Sequence, residues 1–108
     1  MKIPEHIIVH VSVDSYENAI HISRIIVSEK LAACCSIIPG VTSIYTWKDS
    51  IQESRELILM IKTHKSKFSE LKERIKELHT YETPEIISIN IQDASKEYIQ
   101  WIDECLNT

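Results

Sequence analysis

Between Ala32 and Thr63 the chain carries two long strand-like runs joined by a short polar turn around Asp49 and Ser50. Fully extended at about 3.3 Å per residue, the first run, Ala32 to Lys48, would span roughly 55 Å. A chain of 108 residues folds to a radius of gyration of about 13 Å, so a straight run of that length has no room in one small sheet. It must bend, project from the domain, or lie against a second molecule, and the last two are expected together. Pro39-Gly40 marks the point of departure. Proline cannot donate to a ladder, and Gly40, the only glycine in the chain, frees the backbone for a bulge. Beyond it, Val41, Ser43, Tyr45 and Trp47 share one face by period two, and Thr42, Ile44 and Thr46 share the other. Neither face is safely polar.

The remaining elements follow from periodicity. Ile7 to Val13 is β-branched and nearly all apolar, the pattern of a strand buried on both faces. Asp14-Ser15-Tyr16-Glu17 has capping-box spacing and predicts a helix from Ser15 to about Lys30 with Ala19, Ile22 and Ile26 inward. Ser66 is positioned to cap a second helix with Phe68, Leu71, Ile75 and Leu78 on one face. Glu85 to Ile91 reads as a fourth strand. Ser95 then caps a last helix with Tyr98, Trp101, Ile102 and Cys105 as its buried stripe. This order, strand-helix-strand-strand-helix-strand-helix, predicts one α+β domain over residues 1–108. Its form is a ferredoxin-like βαββαβ fold plus a C-terminal helix, a four-stranded antiparallel sheet with helices on one face. The apolar second face then has to be buried by something, most economically another copy of the chain.

A 44% hydrophobic content supports a core without disulfide or metal staples, and a net charge of −4 argues against a surface that tracks phosphates. Nucleic acid is not an expected partner. No apolar run approaches membrane-spanning length, and Met1 to His6 lacks the apolar core and cleavage site of a secretory signal. Cys34, Cys35 and Cys105 are an odd set. The first two, adjacent on a strand, point to opposite faces, so all three read as small core hydrophobes in a reducing cytoplasm.

At Leu31-Ala32-Ala33-Cys34, Ile38-Pro39-Gly40-Val41-Thr42-Ser43-Ile44-Tyr45-Thr46-Trp47, Ile61-Lys62-Thr63, His79 through Ile87, and Tyr98-Ile99-Gln100-Trp101, the sequence resembles the CutA family of divalent-cation tolerance proteins. The resemblance covers nearly the whole chain. It implies a tight homotrimer whose hairpin arms wrap neighbouring subunits, and a non-catalytic cytoplasmic role in tolerance to divalent cations, copper among them. It also marks departures. Val11 stands where some bacterial members carry a copper-liganding cysteine, and Leu78-His79 where they carry paired histidines. Thr80 replaces a usual proline, and Asp49 replaces a glycine of the hairpin turn.

His79 is the leading metal candidate, since neutral imidazole suits Cu(II), zinc and nickel. Alone it makes no site; Glu82, His10 or His64 would have to be brought to it by the fold or a neighbouring subunit. No cofactor is obligatory. A second constellation, Tyr45, Trp47, Glu56, Lys62, Tyr81 and Glu82, is implied by the family pattern to meet near subunit boundaries. There it would either complete an interface or hold an anionic small molecule or partner protein, the alternative of a signalling trimer similar to the PII regulators. As an enzyme the chain is poor. It has no glycine-rich phosphate loop, no His-x-x-x-His motif, and no nucleophile beside a recognisable base.

Overall fold

The computed structural model describes residues 5–107; Met1 to Pro4, part of the segment read above as lacking a secretory signal, lie outside them. The elements run β1 (His6–Val13), α1 (Tyr16–Ser28), β2 (Cys34–Trp47), β3 (Ser50–His64), α2 (Phe68–Leu78), β4 (Ile86–Asn90) and α3 (Lys96–Leu106). The strands form one sheet in the order β2-β3-β1-β4, with every neighbouring pair antiparallel. This is the α+β arrangement expected from two split strand-helix-strand halves.

The central strand organises the core. Ile7, Val9, Val11 and Val13 are buried on one face of β1, opposite Thr63, Ile61, Leu59 and Leu57 of β3. Ala19, Ile22 and Ile26 from α1 and Leu71 and Ile75 from α2 close over them. Each fully buried branched side chain there contributes roughly 1.5–3 kcal/mol. Arg74 on α2 reaches Glu29 at the end of α1 with two bonds of 2.9 Å, and the guanidinium holds the Glu29 carboxyl below the usual carboxylate range.

Helix ends depart from expectation for local reasons. Ser15, not Asp14, caps α1: its backbone is extended and its Oγ accepts from the Asn18 N–H at 3.1 Å. Asp14 is drawn away, accepting from Asn18 Nδ2 and from Thr80 Oγ1. The helix stops at Ser28 because Lys30 turns left-handed (φ 59°), its N–H reaching Val27 O while the Leu31 N–H reaches Ile26 O. Ser66 does not cap α2. A single 3-10 turn, Lys65–Lys67, intervenes, and His64 Nδ1 accepts the Ser66 N–H at 3.0 Å.

The last helix corrects the expectation that helices share one face. Ser95 does cap α3, but Asp103 Oδ1 meets His6 Nε2 at 2.7 Å, and His6 projects opposite to Ile7. So α3 lies on the second face, at one end. Its buried side is Ile99, Ile102, Cys105 and Leu106 against Ala33, which rotates the stripe and leaves Tyr98 and Trp101 at the rim, stacked at 5.5 Å. Ile38, Ile87 and Ile89, in the region α3 does not reach, are exposed.

The arm behaves as its length requires. Register slips between Ile38 and Val41, where β2 spends three residue steps against two on β3, and Gly40 there sits at φ +73°. From that bulge outward, Val41–Trp47 and Ser50–Glu56 pair only with each other, a ribbon roughly 20 Å long at ~3.3 Å per residue. The radius of gyration, 14.7 Å, and a long axis of 45 Å record the projection. The turn falls one residue earlier than expected, on Lys48 and Asp49, both left-handed (φ 49° and 63°), as a two-residue hairpin turn demands. Asp49→Gly relieves one of these and should stabilise the protein by about 0.5 kcal/mol in reversible urea unfolding; a lowered midpoint would contradict this account of the turn.

Candidate functional site

Where β1 ends and the arm begins, residues 79–85 cross from α2 to the far face of the sheet. His79 stops α2 by turning extended (ψ 148°), its backbone N–H still bonded to Ile75 O. Its ring is used at both nitrogens. Nε2–H donates to the Ser12 carbonyl at 2.7 Å, and Nδ1 accepts the Tyr81 N–H at 3.0 Å, an arrangement that assigns the neutral Nε2–H tautomer. Thr80 Oγ1 donates to Asp14, and Glu85 meets His10 Nε2 at 2.7 Å on the second face. The loop is thus pinned on both sides of its crossing.

These pins aim Tyr81 at the arm. Its hydroxyl donates to Glu56 Oε2 at 2.7 Å. Glu56 faces Val41 just beyond the bulge and is only 8% exposed. Burial, then the bond and charge of Glu56, with Asp14 and Tyr45 adding to them, push the Tyr81 phenol far above its ordinary value, so it stays a neutral donor. At Asp14 burial acts to raise the carboxyl, but the bonds from Asn18 and Thr80 outweigh it and the net shift is downward. Tyr45 is held by Ser54 Oγ at 2.7 Å.

Of the six residues expected to converge, a single chain gathers Tyr45, Glu56 and Tyr81. Lys62 shares a strand face with Glu56 but lies six residues along β3, roughly 20 Å away. There its Nζ donates to Ser36 Oγ at 2.6 Å and sits 4.0 Å from Cys34 Sγ. Trp47, at the arm's tip, is 57% exposed with Lys48 over its ring, and Glu82 is exposed on the loop. Cys34 and Cys35 do point apart, Cys35 toward Ser23 of α1, where burial raises its thiol.

The metal candidate is placed as a latch. Both His79 nitrogens are engaged, His10 is taken by Glu85, and His64 by Ser66. Among the described residues, no three His, Cys, Asp or Glu side chains form a group able to hold a metal ion. The residues present therefore do not build a Cu(II) site within one copy. The contact between Asp14 and Thr80 escaped notice in the sequence because it joins residues 66 apart; the local sign at Asp14, an acidic residue at a helix start, reads as a cap.

Residues 7–105 match the family described as CutA1 divalent ion tolerance protein. The chain belongs to the CutA family. Among curated CutA relatives it is 44% identical to the divalent-cation tolerance protein CutA of Thermus thermophilus over 90% of this chain and 94% of that one. It is 40% identical to human protein CutA over 75% of this chain and 45% of that longer one. Among solved CutA structures, the Thermus protein superposes with a TM-score of 0.91 at 42% identity, covering 94% of this chain and 99% of that one. CutA1 of a psychrotrophic Shewanella reaches 0.94 at 30% identity, covering 99% and 100%. The chain spans about half the length of the plant and of several vertebrate CutA relatives it matches.

The Tyr81–Glu56 bond yields a test of this geometry. Tyr81→Phe leaves the buried Glu56 carboxylate without its donor and should cost about 1–2 kcal/mol of unfolding free energy at pH 7. An unchanged urea midpoint would show that the loop and the arm root are not energetically coupled.

Proposed function

We propose that the protein is a homotrimeric, non-catalytic binding protein that serves divalent-cation tolerance from the cytoplasm, and that any cation it takes is held between copies, not by His79 within one. Membership of the CutA family supports the role. The observation that carries the assembly is the combination of an apolar sheet face that α3 only partly covers with an arm that is apolar on both sides: Trp47 is 57% exposed, and on the opposite side Ile44 is 68% and Ile51 79% exposed. A ribbon of that kind is satisfied by insertion between neighbours. Three copies are favoured because a head-to-tail contact that closes makes a ring, and the resemblance points to three. Three free thiols suit a reducing compartment, although a CutA of known structure from Archaeoglobus fulgidus is described as periplasmic. No helix among the described residues is long and apolar enough to cross a membrane. A non-catalytic reading fits side chains that are committed to structural bonds: His79 to Ser12 and Tyr81, Tyr81 to Glu56.

Two measurements test this. In equilibrium dialysis of the assembled protein, His79→Ala should take up as much Cu(II) and Zn(II) as the parent chain; stoichiometric Cu(II) lost on that substitution would restore His79 as a ligand. Trp47→Ala should weaken association by about 2–4 kcal/mol, the range for truncating a buried aromatic anchor, read as dissociation on dilution. A variant that associates as tightly as the parent would place the arm outside the interface.

A further inference from the structure

Along the uncovered face of β3 two charges of opposite sign stand without a counter-charge. The Glu56 carboxylate is nearly sequestered, held by one neutral hydroxyl at 2.7 Å, and no cationic nitrogen of a described residue lies within 4.0 Å of it. The Lys62 ammonium, half-buried beside Ile8 and Met60, touches a hydroxyl and a thiol, and no carboxylate of a described residue lies within 4.0 Å. A buried charge persists when it finds an opposite charge or an ion, which Glu56 lacks among the described residues; the Lys62 ammonium, on the same face, is accessible to a neighbour. Between these two runs an apolar strip, Met60 and the buried Ile58 of β3, with exposed Ile38 beside Ile58 and exposed Ile87 beyond His10. The pair cannot meet within a chain, because six residues of straight strand hold them roughly 20 Å apart.

We infer that Glu56 of one copy pairs with Lys62 of the next, across an interface in which the apolar strip of each sheet is covered by its neighbour. This rests on the self-association proposed above and names the contact that sets its register. The sign pattern favours a second copy over an unrelated partner: one chain supplies an anion at one end of an apolar patch and a cation at the other, so the anionic end of one copy is complementary to the cationic end of the next. A contact joining the arm-root end of one sheet to the α3 end of another is head-to-tail, the kind that closes a ring. It would also bring Lys62 back beside Tyr81 and Tyr45, the neighbours that a single chain denies it.

Zero-length carbodiimide coupling tests the pairing on the unaltered protein, since it joins a carboxylate to an amine in direct contact, with loss of water. A covalent dimer whose digest contains a Glu56–Lys62 linked peptide is expected, and the intrachain separation means that such a link must join two copies. Charge exchange is the second arm. Glu56→Lys and Lys62→Glu should each lower the association constant by about ten-fold or more, and the double exchange should recover most of that loss. Glu56→Gln and Lys62→Gln, which keep the side-chain shapes, serve if a reversal fails to fold. Each should weaken association, and Lys62→Gln should abolish the linked peptide. An assembled parent protein with no such peptide, and a double exchange no tighter than its weaker single, overturns the pairing while leaving self-association intact. A parent chain that is monomeric throughout overturns both.

Discussion

Apolar side chains on both faces of a sheet set a requirement that helices packed from one side cannot meet. Here β1 is the source of it. Val9, Val11 and Val13 are sealed by α1 and α2, while the alternate residues Ile8, His10 and Ser12 belong to a surface that also carries Ile38, Met60, Ile87 and Ile89. The third helix crosses to that side but closes only the end near Ala33 and His6. What remains leaves Ile38, Ile87 and Ile89 exposed, an apolar surface of the kind that favours a covering partner. The arm sharpens the demand, because its ribbon leaves the domain at the Gly40 bulge with exposed hydrophobic residues on each side.

The polar chemistry of the chain is arranged around that unfilled surface. His79 uses both ring nitrogens to fasten the 79–85 loop to the end of β1, and the fastened loop delivers Tyr81 to Glu56 at the arm's root. His79 thus forms part of the mount for the carboxylate at the arm's root.

Much of the fold was readable because its signals are local and repeated. The β-branched run of β1, the single Pro-Gly interruption in β2 and the serine before α3 each dictate backbone geometry without help from distant residues. The errors share a cause. Asp14 and Ser15 are both competent caps, and the choice fell to Ser15 because Thr80, 66 residues away, recruits the Asp14 carboxylate. The stripe of α3 turned toward Ile99 and Leu106 because its acceptor is Ala33 with His6, a surface no helical period can reveal. For the site, the family pattern offered Glu56, Tyr81 and Tyr45 but could not say that Lys62 and Trp47 stand far from them in one chain, since strand length separates residues that a motif places side by side.

The claim beneath all of this is that one copy leaves its second sheet face unsatisfied. Sedimentation equilibrium at low micromolar concentration measures it most directly. The account predicts a single species of three times the chain mass, with no monomer until far greater dilution. A monodisperse single chain, folded by its circular dichroism and stable for days, would contradict it.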